Sequence, residues 1–362
     1  MNLRSFRAVD WFLIICPIFL ALIGLATIYS LGFVNPQTKS FFYDQLLYFG
    51  IGAGVAVFLA FYDYQSIKTM VPYIFVAAII LLLLVFFFGK TTFGATRWIN
   101  LGFFQLQPSE IFKFVLILTL AKIFSDWHEF DLRRILFVSF LIVLSIFLVL
   151  IQPDFGTGMV LIFAIVAILL VSQIKKIYLL GIGILFLAST PVLWNFLKDY
   201  QKQRIYTFFN PAVDPYGSGY NVLQSIIAVG SGGLFGKGLG QGSQSQLNFI
   251  PAAHTDFIFA GWAEATGFVG SLLLLVIFAV LIWQILNVAK VSKDDFGFYF
   301  AIGAAGIMLF QVLVNIGMNM GVMPVTGIPL PFVSYSGTAL IMNFACIGVL
   351  QSIYIRHKKI NF

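Results

Sequence analysis

Charge is scarce in this chain: Asp, Glu, Lys and Arg make up 10% of 362 residues, against roughly a quarter in soluble domains. With 60% of residues hydrophobic and 17% aromatic, no water-soluble core absorbs the apolar surface. Histidine and cysteine are scarcer still, at three and two residues. Cys16 and Cys346 lie in apolar segments at opposite ends of the sequence with no CxxC spacing, which excludes a disulfide framework and points to buried thiols. No cage of clustered His, Cys and carboxylates appears. Acidic residues number 14 against 21 basic ones; in this composition the placement of that net +7 matters more than its sum, and nucleic acid is not an expected partner.

What is present is a series of long apolar runs. Stretches such as 11–31 and 272–286 are long enough, or nearly so, to cross ~30 Å of hydrocarbon. The run 79–88 is apolar on every side, which excludes the alternation of a membrane β-barrel. The pattern predicts an all-α polytopic membrane protein with about ten transmembrane helices, near 11–31, 44–62, 70–89, 108–124, 135–152, 157–173, 176–196, 256–286, 298–318 and 334–355. Arg4 and Arg7 precede a first run too long for a signal peptide's core, which predicts an uncleaved helix. With the N-terminus inside, the inner segments hold Arg4, Arg7, Lys68, Lys122, Arg133, Arg134, Lys175, Lys176, Lys290, Lys293, Arg356, Lys358 and Lys359. The outer ones hold Lys39, Lys90, Arg97, Lys198, Lys202, Arg204 and Lys237. Both termini are therefore expected in the cytoplasm, and the polar connections 90–107, 152–156, 197–255 and 319–333 outside. Chemistry, if any, faces outward.

The stretch 248–259 is where a long polar, glycine-rich connection meets a membrane-length apolar run, and it carries Asp256 to that edge. A carboxylate there costs several kcal/mol unless it is used. A helix opening at Pro251 or Thr255 would favour the ionised form, while burial would oppose it. Ionised, Asp256 can accept a proton from a hydroxyl, hold a divalent cation such as magnesium or manganese, or cap the helix. Glu264 falls about 80° round that helix, near enough to share a cavity but not one binding point.

Other charged groups have a bland and a functional reading. Glu110 and Lys113, on one face of the fourth helix behind Ser109 as an expected N-cap, form either a self-neutralising pair or a cation poised for an anion. Arg97 either snorkels or binds phosphate bidentately. Asp154 is better read as a cap. The run Gly230 to Gly238 departs from a phosphate loop at Ser231 and Gly238; a flexible connector is favoured over a backbone packed against a headgroup with Lys237 near its phosphates. Val222, Leu223, Ile226 and Ile227 share one helical face, which predicts a piece lying along the membrane interface. The Pro324, Pro329 and Pro331 segment predicts non-helical backbone buried in protein or lining a cavity.

Taken together, His254-Thr255-Asp256-Phe257-Ile258-Phe259-Ala260, the run Pro324 to Pro331, Gln107-Pro108-Ser109-Glu110, Gly94-Ala95-Thr96-Arg97-Trp98 and Gln152-Pro153-Asp154 resemble the SEDS family (shape, elongation, division and sporulation). Asn210-Pro211, Asp214-Pro215 and Gly219 to Ser225 extend the resemblance over nearly the whole chain. The Thr326 to Pro331 run and the short tails resemble RodA more closely than FtsW.

That resemblance implies a single transmembrane domain over 1–362, with 197–255 as a large outer loop, in the bacterial cytoplasmic membrane. It implies a peptidoglycan glycosyltransferase that polymerises lipid II during elongation and cell-shape maintenance, beside a class B penicillin-binding protein. It makes Asp256 the essential acid, as base or cation ligand, with Glu110, Lys113, Arg97 and Asp154 at matching positions. Arg97, Lys113 and Lys237 would offset the leaving diphosphate. The sequence departs from the family at Ala252, at Ala265 beside Glu264, and at Ser336-Gly337. A lipid-linked precursor flippase and a scaffold using the Gly261–Ala265 and Ala263–Gly267 faces are the alternative readings.

Overall fold

A computed structural model describes residues 9–33, 36–92, 95–100, 102, 104–127, 129–178, 180, 181, 183, 184, 195, 199–210, 217–247 and 249–357. The expected helix over 176–196 lies largely outside these residues, as do Arg4, Arg7, Asn248 and Asp214. The helices are α1 (Phe12–Leu31), α2 (Pro36–Phe61), α3 (Tyr64–Phe88), α4 (Pro108–Asp126), α5 (Leu132–Ile151) and α6 (Phe155–Val171). Three short ones follow, α7 (Asp199–Phe209), α8 (Ser218–Ser231) and α9 (Ser243–Gln246), and then α10 (Ile258–Val291), α11 (Asp295–Asn319) and α12 (Gly337–Ile355). Among the described residues seven helices are long and apolar enough to cross a membrane: α1, α2 from Lys39, α3, α5, α10, α11 and α12.

Burial sorts these helices into an outer shell and a core. α3 and α5 keep Tyr73, Phe87, Phe140 and Val143 exposed, which water would not tolerate in such number but lipid does. α4 lies at the centre, where Phe112, Leu116, Ile117 and Leu120 are fully buried and α11, α3 and α6 pack around it. Its charges, Glu110, Lys113, Lys122 and Asp126, lower its hydropathy, but protein rather than hydrocarbon surrounds the first two. α11 approaches α4 and α6 at Gly303, where a Cβ would come within 2.9 Å of Ile117 and Ile168 side chains. Small residues here allow the close packing that holds helices together in lipid.

A small antiparallel sheet interrupts the helical pattern: β1 (Gly89–Thr92), β2 (Ala95–Asn100) and β3 (Gln105–Leu106), in the order β1-β2-β3. Gly89 pairs with Ile99 and Asn100 with Gln105. Arg97, expected to snorkel or to bind phosphate, sits in the central strand. Strands this short leave no readable alternation.

The glycine-rich run is not a flexible connector. α10 breaks at Gly267 (φ 69, ψ −160), a conformation open only to glycine, and the 233–238 backbone fills the break. Phe268 N donates to Gly233 O at 2.8 Å, Lys237 N to Glu264 O at 3.0 Å and Gly238 N to Ala265 O at 2.9 Å. A Cβ on Gly236 would meet Ala265 O at 2.2 Å. Fully buried Glu264 ties the same loop: it accepts from Lys237 Nζ at 2.9 Å, Gln244 N at 3.0 Å and Ser245 N at 2.9 Å. α8 forms as expected, but its buried stripe is Val222, Ser225 and Ala228, while Leu223, Ile226 and Ile227 are exposed.

Because two backbone amides depend on Glu264, Glu264→Ala should lower unfolding stability by on the order of 3 kcal/mol. Lys237→Met, which leaves those amides satisfied, should cost clearly less. Thermal unfolding in detergent checks the ranking, and equal losses would mean that the ion pair rather than the amides holds the loop.

Candidate active site

Asp256 sits in the irregular turn 251–257 just before α10, whose N-cap is Phe257; the helix opens later than Pro251 or Thr255. Its backbone is fastened from two sides. Asn315 Nδ2 and Asn319 Nδ2, one turn apart on α11, each donate to Asp256 O at 3.0 Å. Asn315 also donates to Ile328 O at 2.8 Å, joining the 320–336 segment to the same point. Ser334 Oγ donates to Thr255 O at 2.7 Å and Tyr335 N to His254 O at 2.8 Å. Asn319 Oδ1 accepts from Ala260 N at 3.2 Å and Ser225 Oγ at 3.2 Å.

The Asp256 carboxylate, by contrast, makes no hydrogen bond and no ion pair within 4 Å among the described residues. It faces Gly327 (φ 73), where a Cβ would lie 3.6 Å from Asp256 Oδ2 and 4.0 Å from Arg204 Nη1. A left-handed glycine keeps that approach open. Asp256 is half-buried, and desolvation by the surrounding protein raises its pKa above the ordinary carboxylate value; Arg204 and Arg97 pull it down and Asp154 pushes it up. Helix capping, the bland reading, does not occur at its side chain.

Asp154 and Arg97 form the neighbouring wall. Asp154 caps α6, accepting from Thr157 N at 3.3 Å and Thr157 Oγ1 at 2.9 Å. It also accepts from Ser109 Oγ at 2.9 Å and stands 3.7 Å from Arg97 Nη1. Arg97 donates to Pro153 O as well. Ser109 is thus not the N-cap of α4, which is Gln107 with Pro108 at the first helical position; its hydroxyl serves Asp154 instead. Gly156 lets this corner meet the proline segment, since a Cβ there would stand 2.6 Å from Thr326 O.

Three expected site residues lie apart from this cluster. Glu110 and Lys113 pair at 2.7 Å with side chains 2% and 1% exposed, so they are sealed in the core and open to no cleft; the self-neutralising reading describes them. Lys237 spends its charge on Glu264 and on the hydroxyls of Ser231 and Ser243. Glu264 shares that knot, not a cavity with Asp256. Arg204, on α7, is a site residue that sequence reasoning passed over; its signal was the basic cluster Lys198, Lys202 and Arg204 after the seventh apolar run. The asparagines at 315 and 319 carried a signal too, being an i,i+4 polar pair inside an apolar helix.

Among the described residues no three His, Cys, Asp or Glu side chains gather as metal ligands. With two guanidinium groups nearby, Asp256 offers a divalent ion one carboxylate, which fits magnesium-type binding where phosphate oxygens and water supply most of the shell.

The family model of the FtsW, RodA and SpoVE cell cycle proteins matches residues 10–359. The chain is 41% identical over 293 residues to the peptidoglycan glycosyltransferase MrdB of Escherichia coli (strain K12), covering 80% of this chain and 79% of the relative. It is 37% identical over 357 residues to stage V sporulation protein E of Bacillus subtilis (strain 168), covering 95% and 96%. Among solved structures, it resembles a chain from work on the structural coordination of polymerization and crosslinking by a peptidoglycan synthase complex, with TM-score 0.81, 29% identity and coverage of 96% and 98%. It also resembles the rod shape determining protein RodA of Thermus thermophilus, with TM-score 0.72, 28% identity and 96% of each chain covered.

Asn319→Ala orphans the groups that its amide serves between α8, α10 and α11, and should cost about 1–3 kcal/mol of unfolding stability. Thermal unfolding of the purified variant measures this. A midpoint equal to the parent's would show that Asn315 alone fixes the turn.

Proposed function

This chain belongs to the SEDS family of FtsW, RodA and SpoVE cell cycle proteins, and from that membership and the geometry around Asp256 we infer that it is a peptidoglycan glycosyltransferase polymerising lipid II. It is a multi-pass protein of the bacterial cytoplasmic membrane. In this reading about ten helices span the membrane, both termini lie in the cytoplasm, and residues 1–362 form one domain whose 197–255 loop is outside. The distribution of basic residues supports that orientation. So does the gathering of the sheet, the 251–257 turn and the proline segment at one end of the helices, where α4, α6, α10 and α12 begin.

The observation that carries the enzymatic reading is a carboxylate, unpaired among the described residues, on a rigid turn with two guanidinium groups in its field. Asp256 accepts the proton of the acceptor sugar's 4-hydroxyl as that oxygen attacks the anomeric carbon of the donor strand, with inversion. The anomeric carbon–oxygen bond to undecaprenyl diphosphate breaks, and Arg204 and Arg97 stabilise the negative charge gathering on the departing diphosphate. A divalent ion bound at Asp256 would add positive charge for the same diphosphate. Glu110 and Lys113 act at a distance, by seating the helix that presents Ser109 to Asp154. A class B penicillin-binding protein is the crosslinking partner in this reading, supported by the likeness to a synthase-complex chain.

The rival readings lose their footing in particular residues. The face a scaffold would offer is spent inside the molecule: Gly261 packs toward Thr27, and Ala263 against Gly232. The Glu110–Lys113 pair that a flippase would use to pass an anion is closed on itself.

Asp256→Asn should abolish glycan polymer from labelled lipid II, in the presence of the partner, with an unfolding midpoint near the parent's. Polymer at the parent rate from that folded variant would refute the assignment. The rate should also rise with pH through an acid limb above the ordinary carboxylate pKa of about 4, because the base works only when deprotonated and burial raises its pKa. Arg204→Gln removes a charge that holds this pKa down, so the limb should move to higher pH; a shift to lower pH would contradict the placement of Arg204.

A further inference from the structure

Beside the Asp256 turn, a second cluster of side chains takes no part in the chemistry above. His254 stacks on Phe41 at 4.5 Å between centroids, with 24° between the rings, and meets Tyr335 edge-on at 5.7 Å. Tyr335 lies 4.8 Å from Phe41, and its hydroxyl donates to Asp44 Oδ2 at 3.4 Å. Three separate parts of the chain meet here: the start of α2, the turn before α10 and the segment before α12. Two of them are locked by the bond from Tyr335 N to His254 O at 2.8 Å. Gln45 Nε2 donates to Ser334 O at 3.1 Å and ties the start of α2 to the same segment.

Aromatic packing in a protein interior would bury the rings together and leave no unsatisfied polar group among them. This cluster differs in two respects. Its rings are half-buried, and Asp44 is exposed. The imidazole nitrogens of His254 hydrogen-bond to no described residue. Each ring nitrogen of an imidazole can take part in a hydrogen bond, so His254 has two polar positions open to a ligand. Flat π-faces beside a carboxylate, a phenol and an imidazole are the complement of a pyranose, whose C–H faces carry the partial positive charge that an aromatic face attracts and whose rim carries hydroxyls and amides.

We propose that Phe41, Asp44, His254 and Tyr335 form a saccharide-binding platform that holds one sugar ring of the glycan beside Asp256. The proposal rests on the polymerase reading for the identity of the sugar. It assigns Asp44 as acceptor for a sugar hydroxyl or amide, with Tyr335 and Phe41 as the stacking surface. None of the four touches the reacting atoms. The platform sets the register of the ring relative to the base, two residues along the chain from His254.

The test uses the full chain with its class B partner in detergent and two readouts. One is polymerisation kinetics on lipid II; the other is equilibrium binding of a soluble, peptide-free peptidoglycan tetrasaccharide, followed by calorimetry. Asp44→Asn and Tyr335→Leu should each raise KM for lipid II about tenfold with kcat within about twofold, and weaken tetrasaccharide binding to a similar degree. Tyr335→Phe, which keeps the stack and loses only the hydroxyl, should recover most of the binding. Unfolding midpoints near the parent's establish that the variants are folded. Parent-like KM and tetrasaccharide binding in both Asp44→Asn and Tyr335→Leu would overturn the platform while leaving the polymerase reading intact. A parent that binds tetrasaccharide in a Tyr335-dependent way but makes no polymer would uphold the platform and overturn the polymerase reading.

Discussion

Two side-chain amides on α11 set the position of everything that matters at the active end. Asn315 and Asn319 are fully buried, and both donate to the carbonyl of Asp256. Buried amides in an apolar helix are tolerated because their hydrogen bonds are made, and here the bonds run to three other parts of the chain. The backbone of the acid is fixed while its carboxylate, facing Gly327 and Arg204, accepts no hydrogen bond among the described residues. A group that must accept a proton in one orientation gains from this division, since little reorganisation remains when the substrate arrives.

The charges at this end follow one logic. Asp154 is met by two hydroxyls, a backbone amide and Arg97; Glu264 by two amides and Lys237; Glu110 by Lys113. Each pair offsets the cost of holding an ion away from water. Among the described residues, Asp256 alone of these acids has its charge balanced only at longer range, by Arg204 and Arg97. Its neighbours are satisfied and therefore inert; its own carboxylate is not.

How far the sequence carried this picture follows from the range of each signal. Apolar runs announced most of the helices because hydrophobicity is summed over some twenty residues, and Asp256 stood out because one acid at the edge of such a run is costly. Glu110 and Lys113 looked equally open to a substrate, since spacing gives a shared face but not what covers it. Lys237 looked free because its partner lies 27 residues on, across a loop whose glycines read as slack. Those glycines are the opposite of slack: their missing side chains admit backbone to within van der Waals contact of a broken helix, and only tertiary structure reveals a close approach. Arg204 was one cation in a basic cluster, and nothing local to α7 told it from Lys202.

The break in α10 bears on the acid in a way its distance would not suggest. A helix end stabilises an adjacent anion through the unpaired amides of its first turn, and the effect fades beyond that turn. The segment from Ile258 to Gly267 contains that whole first turn, so the break at Gly267 lies beyond the reach of any such effect on Asp256. What the break provides is a foothold: the 233–238 backbone enters it, Glu264 binds the loop beyond, and the half-helix is held between that loop on one side and α11 on the other. A continuous, unbraced helix would give Asp256 the same electrostatics but would leave its direction to thermal motion. The kink thus serves position rather than pKa, and the two asparagines finish at the turn what the glycines begin in the membrane.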